Sequence, residues 1–274
     1  MTPAPLRAEA DWLELRGAAD EEARDRGAAG LLQVLTESLA ARGAHLVQVI
    51  DLGAGTGANR RYLQPRLPFR QQWVVVDQDA EHLRHPAHEG AVRVRAGIAE
   101  LPATLERQRV PTDAVRLVTC AALLDVLTED DVAVLAAVIL DGRSPALLSL
   151  SVDGRVAWSP PDPVDVQVAR SFDTHQQRDG RLGPTAARVL ERLLSATSAT
   201  DGLSVHTART DWLLGPTTPR LLSRWLDERV ASALEQEPRL GRAFTDWHGR
   251  RLAQLRAGHL HVRVGHVDLL AMPR

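Results

Sequence analysis

Apolar residues in this chain fall into short continuous runs, and the segments between the runs carry apolar residues at helical spacing. A short apolar run bounded by turn residues is typical of a strand that is buried on both faces of a parallel sheet. Five runs are predicted strands: residues 46–51, 73–76, 91–95, 114–120 and 146–152. Because helices are predicted between them, the chain has the alternating βαβ order of an α/β fold.

Both ends of the chain depart from this order. Helical spacing before the first strand predicts two or three N-terminal helices. After the fifth strand, a group of prolines near residue 160 interrupts the pattern, and an inserted segment precedes a helix at 185–198. Two last strands, 203–210 and 259–270, bracket two further helices. The final strand alternates in part, as an edge or antiparallel strand does.

Composition and charge narrow the classes of partner. The formal net charge is −2, which offers no general attraction to nucleic acid or to an anionic membrane. No apolar stretch is long enough to span a membrane, and residues 1–11 lack the charged flank and apolar run of a signal peptide. A single cysteine, Cys120, excludes an internal disulfide framework. We therefore expect a cytoplasmic protein that binds neither nucleic acid nor membrane.

A glycine-rich loop at residues 51–59 follows the first predicted strand and precedes a helix. Glycines at such a place let the backbone turn sharply and let a ligand approach closely. Gly53, Gly55 and Ala58 fit the dinucleotide pattern, whereas Asp51 with glycines at 53, 55 and 57 fits the S-adenosylmethionine (SAM) pattern. The acid favours SAM, because a carboxylate can bind the ammonium group of SAM and would repel a pyrophosphate.

Further cofactor contacts are predicted at the end of the second strand. Asp77 can accept hydrogen bonds from both ribose hydroxyls, and Asp79 is the alternative if the strand ends two residues later. Because NAD enzymes use the same arrangement, this acid alone does not discriminate between the two cofactors. The remaining candidates for cofactor binding around the two strand ends are Ala54, Gly57 and Gln78.

The chain resembles class I SAM-dependent methyltransferases, and more narrowly small methyltransferase-like proteins of actinomycete bacteria. The segments that carry the resemblance are the glycine loop and residues 11–24, 122–125, 171–176 and 225–227. The resemblance implies a seven-stranded sheet with six parallel strands and an antiparallel last strand. It also implies that Arg24, with Arg16, closes over the cofactor carboxylate. Members of the family often have an acid after the third strand to hold adenine; here Ile98 would supply an apolar contact instead.

The expected architecture is therefore an α/β, Rossmann-like, seven-stranded, mostly parallel sheet in one structural domain. It has four predicted parts: an N-terminal helical segment at 1–43, a SAM-binding half at 44–152, a lid inserted after strand five at 153–184, and the C-terminal completion of the sheet at 185–274.

Two residues are candidates for catalysis. Asp125 follows the fourth strand, where the edge of the sheet faces the cofactor, so it can bind or deprotonate an acceptor. His175 lies in the predicted lid, and histidine is the side-chain type most often used as a general base. His82, His85 and His88 have metal-ligand spacing, but Pro86 interrupts their helix, so no metal site is predicted.

The predicted function is transfer of a methyl group from SAM to a small molecule by in-line displacement. Two alternatives stay open: a protein with this fold that binds a cofactor or a partner without methyl transfer, and an NAD(P)-dependent oxidoreductase. The sequence leaves open the acceptor, the methylated atom, the need for a base and the oligomeric state, for which a homodimer is one alternative.

Overall fold

A computed structural model describes residues 9–111, 113–201 and 203–273, so residues 1–8 of the predicted N-terminal segment lie outside the described residues. Within these residues, eight strands form one mixed sheet. They are β1 (Leu46–Leu52), β2 (Arg70–Asp77), β3 (Val92–Arg95), β4 (Ala114–Ala121), β5 (Ala146–Ser159), β6 (Leu203–Arg209), β7 (Trp212–Leu214) and β8 (His261–Pro273). The strand order is β3-β2-β1-β4-β5-β8-β6, with the short β7 paired to β8.

Ten α-helices connect the described strands or precede them. They are α1 (Ala10–Gly27), α2 (Ala29–Ala41), α3 (Ala58–Leu63), α4 (Ala80–Leu83), α5 (Leu101–Arg107), α6 (Glu129–Gly142), α7 (Asp165–Gln176), α8 (Ala186–Asp201), α9 (Pro219–Gln236) and α10 (Gly241–Arg256). Helix α6 begins with a capping box between residues three apart in the sequence: Thr128 Oγ1 accepts from the Asp131 amide, and the Asp131 carboxylate accepts from the Thr128 amide.

The sheet confirms the predicted Rossmann-like α/β fold. β1 pairs in parallel with β2 and β4, and the neighbouring pairs extend the parallel part to β3 and β5. β8 is antiparallel to both β5 and β6, so β6 runs in the same direction as β1 to β5. Six parallel strands and an antiparallel last strand are therefore present, as expected. β7 is an addition that the sequence analysis missed, because three residues are too short to show alternation.

Strand β5 differs from its prediction at its carboxyl end. It continues to Ser159 rather than ending at 152, because residues 156–159 pair with residues 261–264 of β8. A register shift at Leu150, whose φ is +57°, and a second one before Val156 bend the strand on the way. The predicted lid at 153–184 therefore begins inside β5 and contains α7, which packs against α9. Long-range pairing with β8 decides this boundary.

Buried side chains lie on both faces of the sheet. One cluster joins the central strands to α5, α6 and α8, and another joins α2 and α3 to the opposite face of β1 and β2. A third cluster lies around α9, α10 and β7, and α1 packs on it. No helix within the described residues is long and apolar enough to cross a membrane.

Gly27, at the end of α1, fixes how closely the N-terminal helices approach the sheet. A Cβ atom at this position would lie 2.0 Å from the backbone oxygen of Arg209 in β6. We expect Gly27→Ala to lower the free energy of unfolding by about 1–3 kcal/mol, because backbone atoms must move. The measurement is urea denaturation followed by circular dichroism.

Gly17→Ala is the matched control, because it lies in the same helix and its Cβ would meet nothing within 4 Å. We expect this variant to be as stable as the original protein or more stable, by up to about 1 kcal/mol, since alanine favours helix. Equal stability of the two variants would contradict the close approach of α1 to β6.

Candidate functional site

The candidate site lies at the carboxyl edge of the sheet between β1 and β4. The strand order reverses there, since β2 and β3 lie on one side of β1 and β4 and β5 on the other. Crevices at such a point are the usual ligand sites of open α/β sheets. The loop after β1 and the turn after β4 meet across it: a Cβ atom at Gly53 would lie 2.8 Å from Leu123 Cδ1.

All three loop glycines have a left-handed backbone. The φ angles of Gly53, Gly55 and Gly57 are +60°, +51° and +79°, values that side chains with a Cβ rarely adopt. At Gly57 the space is also closed, because a Cβ would lie 2.8 Å from Ala87 Cβ and 3.2 Å from His88 Cε1. The loop conformation thus requires glycine for backbone geometry and for packing.

Asp77 and His88 hold the loop from the β2 side. The Gly55 amide donates to Asp77 Oδ2 at 2.9 Å, and the Asp79 amide donates to Asp77 Oδ1 at 2.8 Å. His88 Nε2 lies 2.9 Å from the Gly55 oxygen; because a carbonyl can only accept, Nε2 carries the proton. Burial lowers the pKa of His88, which keeps the ring neutral. The predicted ribose acid therefore also anchors the loop, and each of its oxygens keeps a lone pair for a further donor.

A buried chain of polar side chains lies beneath the loop. Asn59 Nδ2 donates to Asp51 Oδ1 at 2.7 Å, and Arg24 donates to Asn59 Oδ1 at 3.0 Å. Arg24 is 3% exposed, its guanidinium carbon lies 3.8 Å from the centre of the Tyr62 ring, and its Nε lies 3.9 Å from Asp268 Oδ2. The predicted cofactor residues Arg24 and Asp51 are thus joined through one amide.

The hydrogen-bonding capacity of these buried side chains is incompletely satisfied. Asp51 Oδ2 and Arg24 Nε are both buried and have no hydrogen-bond partner among the residues that the structure describes. Burial is the largest influence on each: it raises the pKa of Asp51 to about 7 and lowers the pKa of Arg24. A carboxylate and a guanidinium with unused hydrogen-bonding atoms next to a glycine loop suit a zwitterionic ligand. Its ammonium group would pair with the carboxylate, and its carboxylate would pair with the guanidinium.

Helix α1 covers this region. A Cβ atom at Gly55 would lie 3.2 Å from Leu13 Cδ1, so the apolar end of Leu13 rests on the loop. Ala54 is buried and its amide donates to the Val76 oxygen, which ties the loop to β2. The contact from α1 is made by the end of a leucine side chain, which has other staggered rotamers available when a ligand binds.

The other cofactor candidates lie around the same edge. Gln78 is exposed after β2, and its backbone oxygen accepts from Arg95. Ile98 follows β3 and is half-buried against the apolar cluster that joins the central strands to α5, α6 and α8. Asp125 lies in a single turn after β4, and burial raises the pKa of its carboxyl group. Its contact with α1 is electrostatic, through Arg16, whose own side chain pairs with Asp20 at 2.8 Å.

His175 lies on α7, at the helix pair of α7 and α9. Its Nε2 is 3.0 Å from Glu235 Oε2, and its Nδ1 is 3.5 Å from Gln176 Nε2. The ion-pair partner is a largely exposed acid at the end of α9. These contacts explain His175 as a link between the two helices, and a role as a base stays a prediction.

The three histidines with metal-ligand spacing have separate surroundings. His82 Nδ1 lies 3.6 Å from Asp77 Oδ2, His85 accepts from the Ala87 amide, and His88 contacts Gly55. Within the described ranges, no group of three or more His, Cys, Asp or Glu side chains is placed to hold a metal ion.

Asn59 and His88 are site residues whose roles the sequence analysis missed. Asn59 is the second residue of α3 and is therefore close to the glycine loop in the sequence. Only the folded chain brings Arg24 beside it. His88 was considered only as a metal ligand, because no local pattern indicates that its ring contacts a loop that precedes it by more than thirty residues.

No protein-family model matches the chain, and no curated protein matches it. Solved structures resemble it distantly. The plantazolicin methyltransferase BpumL, solved with a monoazolic desmethylPZN analog and S-adenosylhomocysteine (SAH), is 11% identical over 97% of this chain and 88% of that chain, with a TM-score of 0.45. The mycolic acid cyclopropane synthase CmaA1, solved with SAH and CTAB, is 15% identical over 86% and 84%, with a TM-score of 0.41.

A SAM-dependent methyltransferase from Geobacter sulfurreducens, in complex with SAH, is 16% identical over 90% of this chain and 91% of that chain, with a TM-score of 0.39. Similarity at this level is too low to transfer an activity or a substrate to this chain. The narrower resemblance to actinomycete proteins and the cytoplasmic location stay predictions.

The raised pKa of Asp51 predicts a pH-dependent stability. Because the folded-state pKa of about 7 lies above the ordinary value of 3.8, the folded chain binds an extra proton between these values. Stability from this group is therefore present at low pH and is lost as the pH rises towards 7. Asp51→Asn removes this loss. We expect the free energy of unfolding of the variant, relative to that of the original protein, to rise by more than about 1 kcal/mol between pH 5 and pH 8.

Urea denaturation of both proteins at both pH values measures the difference between their free energies of unfolding. The contributions of the buried histidines cancel in this difference, because both proteins contain them. The same change in stability between pH 5 and pH 8 in both proteins would contradict a buried, unpaired Asp51 oxygen.

Proposed function

We propose that the chain binds SAM and transfers its methyl group to a small-molecule acceptor. One observation carries the proposal: Asp51 and Arg24, joined through Asn59 beneath the glycine loop, each have a buried polar atom without a hydrogen-bond partner in the described part of the chain. A ligand with an ammonium and a carboxylate group on the same carbon fits this pair of charges. The methionine part of SAM has these groups.

The remaining cofactor residues would each bind a different part of the molecule. Asp77 would accept from the ribose hydroxyls while it keeps its hydrogen bond from Gly55. Gln78 and Ile98 lie after β2 and β3, on the side where the adenine would rest. Gly53, Ala54, Gly55 and Gly57 form the close backbone surface against the methionine part. When bound, SAM supplies a sulfonium methyl group that an acceptor nucleophile can displace.

Asp125 is the best-placed candidate to bind or deprotonate the acceptor. It follows β4, and the neighbouring Leu123 contacts the glycine loop. The raised pKa of its carboxyl group makes it a stronger proton acceptor than an exposed aspartate. His175 remains a second candidate, although its position against Glu235 favours a structural role.

Two features favour SAM over a dinucleotide. Helix α3 after the loop has six residues, so its dipole offers little attraction to a pyrophosphate. The antiparallel β8 between β5 and β6 also differs from the usual 3-2-1-4-5-6 strand order of dinucleotide-binding sheets, in which strand 6 lies directly beside strand 5. Turnover of an acceptor distinguishes methyl transfer from the alternative, which is cofactor binding without methyl transfer.

A thermal-unfolding scan with SAM, SAH, NAD and NADP tests the proposal. A ligand at about 100 times its dissociation constant adds roughly 2.7 kcal/mol of stability, and each kcal/mol raises the midpoint by at least about 2 °C for a chain of this size. We expect a rise with SAM and SAH only. Asp51→Asn and Asp77→Asn should weaken SAH binding at least about tenfold, since each removes a charged hydrogen-bond acceptor for the cofactor.

Glu89→Gln is the control, because this exposed acid lies on the same side of the loop. It should leave SAH binding unchanged. A rise with NAD or NADP alone would favour the oxidoreductase, and no rise with any of the four would refute the proposal. SAH binding without turnover on a broad acceptor set would favour the binding protein.

A further inference from the structure

Three arginines in the described part of the chain are buried: Arg24, Arg229 and Arg251. Two of them have anionic or amide partners. Arg24 donates to Asn59 and lies near Asp268, and Arg251 donates to the Pro160 oxygen, to Gln254 and to Asp165. These partners compensate part of the cost of removing a guanidinium from water, although the Nε atom of each arginine has no hydrogen-bond partner among the described residues.

Arg229 on α9 is the exception. It is 3% exposed, yet no carboxylate of the described residues lies within 4.0 Å of its guanidinium, and the group donates no hydrogen bond to them. Asp173 on α7 acts on it only through its electrostatic field, which raises the pKa of Arg229. Burial without a partner lowers the pKa of Arg229 to about 10. The guanidinium of Arg229 therefore lacks a hydrogen-bonded anion among the described residues.

Aromatic rings hold the guanidinium in place. Its central carbon lies 4.2 Å from the centre of the Phe172 ring and 4.6 Å from the centre of the Trp225 ring. An arginine that contacts ring faces keeps its N–H groups at the edge, where they can bind a planar carboxylate through two parallel hydrogen bonds. The rings also give the ligand an apolar surface next to the charge.

The position of Arg229 suits the acceptor rather than the cofactor. Trp225 of the same helix belongs to the buried cluster that also contacts Ala121 and Ala122, at the end of β4, and Leu150 of β5. The Asp173 carboxylate lies beside Gly154, near the carboxyl end of β5 and beyond the parallel part of the sheet. The glycine loop follows β1 at the same edge of the sheet, and β1 pairs with β4.

We propose that Arg229 is the specificity-determining residue for the methyl acceptor and binds its carboxylate, while Phe172 and Trp225 contact an apolar body. The acceptor is then a small apolar acid, and the carboxylate is its anchor rather than the methylated atom. The identification of the bound anion as the methyl acceptor rests on the proposed function. The anion site itself does not depend on SAM.

Calorimetric titration of the full chain with benzoate, with and without saturating SAH, tests the site. Benzamide is the neutral probe of equal shape, and inorganic phosphate is the non-planar anion. We expect benzoate to bind at least tenfold more tightly than either. Arg229→Met should weaken benzoate binding at least tenfold and leave SAH binding unchanged, and Arg229→Lys should keep part of the benzoate binding.

Stability separates this role from a structural one. We expect the removal of a buried charge that has no hydrogen-bonded counterion to be neutral or stabilising, so ligand-free Arg229→Met should unfold at the same temperature as the original protein or higher. Arg251→Met is the matched control and should unfold at a lower temperature, because it removes a partnered arginine. An Arg229→Met protein that is less stable or does not fold would overturn the inference, because the charge would then already be compensated.

The remaining outcomes are distinct. SAH binding together with equal affinity for benzoate and benzamide, or with benzoate binding that survives in Arg229→Met, would overturn the inference and leave the proposed function standing. Phosphate binding in preference to benzoate would overturn the carboxylate assignment. Benzoate binding through Arg229 without any SAH binding would refute the proposed function and support the anion site.

Discussion

The hydrogen-bonded chain from Arg24 through Asn59 to Asp51 links three elements that are distant in sequence. It joins the N-terminal helix α1 to α3 and to the end of the central strand β1, and Arg24 also lies near Asp268 of β8. Charges in such a place are costly unless each has a partner. The position of α1, the shape of the glycine loop and the protonation of Asp51 therefore depend on one another.

The same constraint explains why the loop is held from two sides. Asp77 and His88 fix the amide and the carbonyl of Gly55 from the β2 side, while Asn59 holds Asp51 from below. A rigid loop pays its ordering entropy during folding rather than on binding, which favours affinity for a ligand. The flexible parts are the apolar ends of Leu13 and Leu123 that rest on the glycines.

The buried arginines show two uses of one side chain. Arg251 donates to a backbone carbonyl and to Asp165, and thereby joins α10 to the start of α7. Arg229 lies among aromatic rings one helix away without such a partner. A fold that leaves one guanidinium uncompensated gives up stability at that point, and such local costs are characteristic of binding sites.

The sequence by itself determined the order of the strands and helices, the glycine loop and the cap of α6, because these depend on apolar periodicity and on contacts within a few residues. Only the tertiary structure decided the length of β5, the partners of Arg24 and His88, and the unpartnered state of Arg229. The first follows from pairing with β8, and the others from contacts between residues far apart in the chain. Local patterns do not record such contacts, because burial and charge compensation arise only when the elements pack together.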